Sequence, residues 1–296
     1  RDAQKYWGMT SNDFEKALAA DLGCKYSASY IGPAGERLSP MACVLNDYSR
    51  AAGRGGTGAV IGSKKLKGVV CTGKLPIKIA DKAGLNALTK SVAEFLKDHP
   101  MMANMRSAGS TGAFLPNLMS GDTCVKNYSV SLEETGKTVK DFERLGAPKI
   151  SDEYKTESYS CVSCPMRCGA EVQVKEGKYK TDENSKVARP EYESLGWFGP
   201  GIMNEDPEVV IACNHLCNEY GLDTISTGGT LGWVYECFNN GVLTKEELDG
   251  IEPYWGNGDA AVELTRKICN MEGCGKILAH GSQYAANHYG KGHEYL

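Results

Sequence analysis

Three cysteines within eight residues constrain this chain more than any other feature: Cys161, Cys164 and Cys168 in the run SYSCVSCPMRCGA. Thiols so close along the backbone cannot each occupy a separate core site. A loop that curls around one centre lets all three point inward, and such spacing in a reduced protein points to a metal. An iron–sulfur cubane takes four thiolates, and compact cysteine runs completed by a remote cysteine commonly supply them. Zinc could take the same run, although structural zinc sites usually come as two separated ligand pairs. Chance clustering of core cysteines does not explain the spacing. Cys124, Cys213, Cys217, Cys269 and Cys274 are available as a fourth ligand. Single cysteines on amphipathic helices are more often small core residues.

Twelve cysteines in 296 residues are too sparse for a small disulfide scaffold. Lys plus Arg number 33 against 37 Asp plus Glu, a net charge of −4 with no basic block. That balance argues against general nucleic-acid binding. No apolar run approaches the roughly 18–20 residues of a membrane span. The opening RDAQKYWGMT does not read as a signal peptide. These features predict a cytoplasmic protein with reduced thiols. A chain that opens on Arg1 and ends HEYL reads as an internal segment of something longer.

The patterning predicts an α+β protein, with the end of an N-terminal β-sheet domain at 1–76 and a mostly helical domain at 77–296. A helix is expected over 10–22, with Thr10 and Asp13 at its start and Phe14, Leu18 and Leu22 on one face. Short apolar runs at Ser27–Ile31, Met41–Leu45 and Lys67–Cys71, separated by Gly, Pro and Asn, read as strands. From residue 80 helices take over. Asp81 is expected to cap a helix reaching Asp98 that turns Leu85, Leu88, Val92 and Phe95 inward. Residues 107–172 read as irregular. Asp206-Pro207 starts a helix that ends at Gly221, and Asp223 starts the next. Thr244 and Glu247 form a capping box for a short helix, and Asp259 opens the last.

Residues 50–65, RAAGRGGTGAVIGSKK, formally contain GxGxxG at Gly53, Gly55 and Gly58. A dinucleotide site needs a full crossover helix after the loop, and only Ala59–Leu66 separates it from the next strand. GAVIGSKK also lacks the phosphate P-loop pattern. The physical content remains. Bare glycine backbone can approach a ligand closely, and its N–H groups can wrap anionic oxygens. Arg50 and Arg54 add planar forks suited to phosphate, and Lys64, Lys65 and Lys67 add positive charge. A Gly-rich turn between strands is the plainer alternative. In NEYGLDTISTGG, Gly221 can end one helix and Asp223 cap the next. Asn218 and Asp223 could also converge to accept hydrogen bonds from a ring with several N–H donors.

These features, in this order, resemble the aldehyde:ferredoxin oxidoreductase family of tungstopterin enzymes. The resemblance runs from IGPAGERLSPMACVLNDYSRAAGRGGTGAVIGSKKLKGVV through CVSCPMRCG and RPEYESLG to NEYGLDTISTGG. It implies two pterin dithiolenes holding one tungsten, occasionally molybdenum. Arg50 and Ala51 would lie at the pterin phosphates and their bridging Mg2+, beside the backbone of Gly53, Arg54, Gly55, Gly56 and Gly58. Cys161, Cys164 and Cys168 match three of the four [4Fe-4S] ligands. Asn218, Gly221, Leu222 and Asp223 match the pterin-contacting motif DxxGLD, with Asn in place of its first Asp. Glu193 matches a glutamate placed near the tungsten. The fourth cluster cysteine, a second pterin motif and a catalytic histidine belong to a part of the family beyond residue 296. Some members bridge subunits with an iron held by a glutamate. Ungapped spacing puts that position at Ala212, which has no ligand atom.

The resemblance therefore implies oxidation of an aldehyde to a carboxylic acid with water. Glu193 would serve as base or proton relay, and electrons would leave through the cubane to ferredoxin or an iron–sulfur subunit of a homo- or hetero-oligomer. A carboxylate in the first turn of a helix, after Pro190, is the plainer role for Glu193. The alternatives are the catalytic subunit of a tungsten-dependent aromatic acyl-CoA reductase and a non-catalytic electron-transfer module. An electron carrier has no use for RAAGRGG.

Overall fold

The computed structural model describes all 296 residues and has the α+β architecture that the patterning predicts. Helix α1 (Ser11–Leu22) starts beside Thr10, whose hydroxyl bonds Asp13 at 3.2 Å, and stops at left-handed Gly23. Strand β1 (Ser27–Tyr30) leads to a single turn, α2 (Pro33–Glu36), then to β2 (Val44–Asn46) and β3 (Arg50–Ala52). Helix α3 (Thr57–Ser63) and strand β4 (Gly68–Cys71) complete this part. The sheet is antiparallel, in the order β3-β2-β1-β4, with Ser27 opposite Cys71, Tyr30 opposite Leu45, and Asn46 opposite Arg50. Phe14 and Leu18 of α1 cover it, packing on Ala28, Tyr30, Cys43 and Leu45.

Two readings shift here. Met41–Cys43 is not part of the strand, because its backbone pairs elsewhere, as described below. The Gly–Arg segment is not one loop: Arg50–Ala52 is a strand and Thr57–Ser63 a helix.

Helix α4 (Lys82–Lys97) begins where expected, with Asp81 accepting the Gly84 N–H at 2.8 Å. Its apolar face, however, is not inward. None of its residues is buried, and Leu88 and Phe95 are 62% and 72% exposed. Helices α5 (Pro100–Ser107), α6 (Phe114–Ser120) and α7 (Lys149–Tyr154) follow. The region read as irregular also holds a hairpin, β5 (Lys155–Tyr159) against β6 (Gly169–Val172). Its connection is the cysteine run. Alternation is masked there because Pro165, Gly169 and the three cysteines of residues 160–169 break the apolar period.

Helices α8 (Tyr192–Phe198), α9 (Pro207–Tyr220), α10 (Thr224–Asn239), α11 (Gly258–Asn270), α12 (Gly275–Leu278) and α13 (Ser282–Tyr289) build the main core. Helix α10 is buried almost all round, as a helix without a polar face must be. Trp233 donates its indole N–H to Gly292 O at 2.7 Å. Asp206 caps α9 through the Glu208 N–H at 2.9 Å. Asn257, not Asp259, caps α11. Thr244 and Glu247 make both capping bonds, at 2.9 and 3.4 Å, but close only a turn. No helix is long and apolar enough to cross a membrane.

The sheet is fastened to the helical body by named bonds. Arg37 reaches Cys269 O at 2.7 Å, Ser39 reaches Ala279 O at 2.6 Å, and the Asn12 N–H reaches Glu219 at 3.2 Å. On the same face of α9, burial lowers the pKa of His215 below its usual 6.5, against opposing pulls from Glu219 and Asp182. The unfolded chain then binds the proton more readily, so this group takes stability away as pH falls from about 6.5 through its folded value. His215→Gln should flatten that part of the stability–pH curve, measured by denaturant titration between about pH 4.5 and 7.5.

Candidate functional site

Residues 41–43, which the glycine-rich segment reaches through the Gly58 N–H to Ala42 O at 3.0 Å, meet the NEYGLD turn backbone to backbone. The Cys43 N–H donates to Gly221 O and the Asp223 N–H to Met41 O, each at 2.9 Å, and Ala42 bridges to Leu222. This is where Met41–Cys43 spends its hydrogen bonds. Gly221 takes a φ of +72°, ends α9 and lies against Gly32. A Cβ on Gly32 would sit 2.4 Å from Tyr220 O, and one on Gly58 2.5 Å from Cys43 O. The approach therefore exists only because these positions lack side chains.

Asp223 both caps α10 and faces the Gly–Arg segment. Its Oδ2 accepts from Ser226 N and Oγ at 3.0 and 2.6 Å and lies 3.4 Å from Arg54 Nη1. Its Oδ1 takes only a long bond from Ile225 N, 3.4 Å, and points towards Gly53, where a Cβ would come within 3.0 Å. Burial, with a contribution from Asp223, pushes the Cys43 thiol up to about 12. Leu222 is buried. Asn218 is half-buried on α9, its carbonyl held by Gly221 N–H at 3.4 Å and its amide side chain without a partner in the protein.

Arg50 and Arg54 flank Ala51 and Gly53. The Arg54 side chain is 63% exposed and that of Arg50 only 23%. Gly55 and Gly56 both have positive φ, +93° and +68°; Gly55 opens on free space and Gly56 on Pro40 O. Lys67 is not part of this cationic set. It is 3% exposed and paired with buried Glu36 at 2.6 Å. Arg50 turns the other way, towards the cysteine hairpin. It bonds the Tyr159 hydroxyl, stacks 4.8 Å from that ring, and reaches Glu191 Oε1 at 3.5 Å. Burial disfavours its charge, but Tyr159 and Glu191, with Cys161, outweigh that and raise its pKa. Its Nε is buried without a partner. A guanidinium donor left over beside bare glycine backbone suits an anionic, phosphate-bearing cofactor.

Cys161, Cys164 and Cys168 all lie on the β5–β6 connection, the first exposed and the others half-buried. Ser163 and Arg167 adopt positive φ, +59° and +54°, and curl the loop. The three thiols share one hairpin end, yet their side chains are not gathered at a common point. Burial, then Glu191, raises the pKa of Cys168, while Arg50 opposes. Arg189, 5% exposed, holds Cys168 O at 2.8 Å and Ser151 Oγ at 2.9 Å. Cys213, Cys217, Cys269 and Cys274 are buried in the main helical core, and Cys124 is buried outside that cluster, beside Gly196 and Gly201.

Glu193 stands exposed in the first turn of α8, its carboxylate making no hydrogen bond inside the protein. Its charge acts on Cys124 and on Tyr128, whose phenol is pushed up to about 12 by burial, Cys124 and then Glu193. Lys126, Asn127 and Tyr128 are three consecutive left-handed residues, with φ of +43°, +56° and +63°. Such runs persist only where the surroundings impose them. Here the Asn127 amide is fixed by Glu236 at 2.7 Å.

Tyr159, Glu191 and Arg189 were missed by reading the sequence. The available signals were proximity to Cys161 and to Glu193, with nothing in the spacing to say that both reach Arg50.

Comparison with known proteins now decides the family. The description "Aldehyde ferredoxin oxidoreductase, N-terminal domain" matches residues 1–73, and "Aldehyde ferredoxin oxidoreductase, domains 2 & 3" matches 87–296. The chain belongs to the aldehyde ferredoxin oxidoreductase family. It is similar to the tungsten-containing aldehyde ferredoxin oxidoreductases of Pyrococcus furiosus, 35% identical over 294 residues, and Thermococcus kodakarensis, 34% over 292. Each alignment covers 98% of this chain and 46% of the relative, so the chain spans about half the length of the family members it matches. The WOR-like subunit of an aliphatic sulfonate oxidoreductase from P. furiosus is 32% identical over 308 residues. Among solved structures, the active-site complex BamBC of benzoyl coenzyme A reductase with 1,5-dienoyl-CoA superposes with a TM-score of 0.79. It covers 100% of this chain and 45% of that one at 23% identity, a likeness of fold.

The glycine contact yields a test. Gly58→Ala should lower stability by about 1–3 kcal/mol, because the new Cβ meets immobile backbone. Gly73→Ala, where a Cβ meets nothing within 4 Å, should stay within about 0.5 kcal/mol. Urea denaturation of both variants measures the difference.

Proposed function

We propose that the full-length protein is a tungsten, or molybdenum, bis-pterin oxidoreductase that oxidises aldehydes to carboxylic acids and passes electrons through a [4Fe-4S] cluster to ferredoxin or an iron–sulfur partner. The observation that carries this reading is Arg50. One arginine stands on the Gly–Arg strand, beside backbone suited to phosphates, and reaches the hairpin that carries the three cysteines. A cofactor loop and a cluster loop joined by one side chain is the arrangement an internal electron transfer needs.

When bound, the pterin metal supplies the two-electron change and the cluster the one-electron exit. The residues of this chain hold and orient. Gly53, Gly55, Gly56 and Gly58 offer close backbone, Arg54 its donor fork and Arg50 its spare Nε–H to the phosphates, whose Mg2+ would lie next to Ala51. Asp223 Oδ1 keeps acceptor capacity towards Gly53 for a ring N–H. Gly221 and Leu222 hold that turn against residues 41–43, and the unpaired Asn218 amide is a second acceptor without charge. Cys161, Cys164 and Cys168 serve as three cluster ligands. Glu193, exposed and with its carboxylate free of internal bonds, serves as base or proton relay for the water that adds to the aldehyde. The division at residue 76/77, with a cofactor-base domain before it and a cluster-bearing helical domain after it, belongs to the same reading. So does a cytoplasmic, anaerobic setting.

The test uses the full-length protein from tungstate-fed anaerobic cells. Metal analysis should find about one tungsten per chain together with iron; zinc alone would sink the reading. Cys161→Ser, Cys164→Ser and Cys168→Ser should each abolish the brown absorbance and the magnetic resonance signal of the reduced cluster. Glu193→Gln should cut turnover by about 100-fold or more at unchanged metal content. Full turnover in that variant would remove Glu193 from the chemistry.

A further inference from the structure

We propose that Tyr159 and Glu191 are positioning residues that hold the Arg50 guanidinium against the cysteine hairpin, so that this one charge helps set the reduction potential of the cluster. The inference rests on the reading of Cys161, Cys164 and Cys168 as cluster ligands and adds residues to it.

The geometry is specific. Tyr159 ends β5 two residues before Cys161 and lies opposite Gly169, the residue after Cys168. A Cβ on Gly169 would sit 2.6 Å from the Tyr159 ring. The missing side chain is thus the space that the ring occupies. The ring face carries the Arg50 guanidinium at 4.8 Å, and the hydroxyl takes one of its N–H groups. The other terminal nitrogen lies 3.5 Å from Glu191 Oε1. Glu191 Oε2 is held by the Ser110 hydroxyl, and Ser110 Oγ also accepts the Tyr192 N–H at 3.0 Å. The carboxylate is therefore pinned to the start of α8 rather than free to swing.

The electrostatics have a definite sign. Reduction adds negative charge to a cluster, so a cation a few ångströms away favours the reduced form and an anion opposes it. Arg50, Tyr159 and Cys161 line one cleft, and Glu191 meets the same guanidinium, so the cation and the carboxylate act on the cysteine loop in opposite senses. Loosening the guanidinium should lower the potential. Neutralising the carboxylate should raise it.

The experiment is a redox titration of the full-length holoenzyme, following the magnetic resonance signal of the reduced cluster. Tyr159→Phe keeps the ring and removes the hydroxyl, and its midpoint should move to lower potential. Glu191→Gln keeps the shape and removes the charge, and its midpoint should move to higher potential. Each shift is expected to be about threefold to tenfold in the reduction equilibrium, the larger being about 59 mV for one electron. Tyr179→Phe, whose hydroxyl bonds Asp259 on the helical body, should leave the midpoint in place. Shifts of the same sign in both variants, or unchanged midpoints, overturn the proposal. So does loss of cluster content with no change in the potential of what remains. A wild-type protein without any cluster signal overturns the cluster reading itself, and this proposal with it.

Discussion

The structure depends on a contact between two stretches of bare backbone. Residues 41–43 and 221–223 exchange main-chain hydrogen bonds, and Gly32, Gly58 and Gly221 let the chains close to distances that no Cβ would permit. Main-chain bonds in such a contact are strongly directional, and leaving them unmade in the interior would be costly. The Gly–Arg side of the candidate site is placed by this seam. It puts the Asp223 carboxylate under Gly53, turns the Gly–Arg strand towards the helical body, and brings Arg50 up to the cysteine hairpin.

Much of this was legible in the chain. Helix starts and stops at Asp81, Asp206, Gly221 and Asp223 lie where capping chemistry puts them, because a cap is a local bond between near neighbours. Three of the four strands of the sheet overlap the apolar runs read as strands. What could not be read was which backbone would pair with which. Met41–Cys43 looks like a strand because it is apolar, yet its partner is 180 residues away in sequence, on a helix end. Lys67 looks like part of a cationic loop, but Glu36 and the Phe14 ring take it into the interior. Tyr159 and Glu191 carry no local signal beyond standing near Cys161 and Glu193, since their contacts with Arg50 exist only once β3 and the hairpin are side by side.

Ten of the twelve cysteines divide by environment in the same way, Cys24 and Cys71 being exposed elsewhere. The buried ones, such as Cys213, Cys217 and Cys269, pack as small apolar side chains, and burial holds their thiols well above the ordinary range. The three of the hairpin connection lie at the surface of a curled loop. Residue type alone did not separate the two groups; spacing did, and the hairpin explains why. Two paired strands fix the ends of the connection, with Tyr159 opposite Gly169.

Helix α4 has a further consequence. It is capped and amphipathic but buries nothing, so its 16 residues add little to either core. The sheet and the helical body are joined by the seam at 41–43 and 221–223, by Arg37 and Ser39, and by Asn12 on α9. Covalent continuity across α4 is then not what keeps the halves in register. The chain could be cut within 82–97 and its two pieces would still carry, between them, both sides of that seam, which makes this segment a natural place for a split or permuted version of the protein.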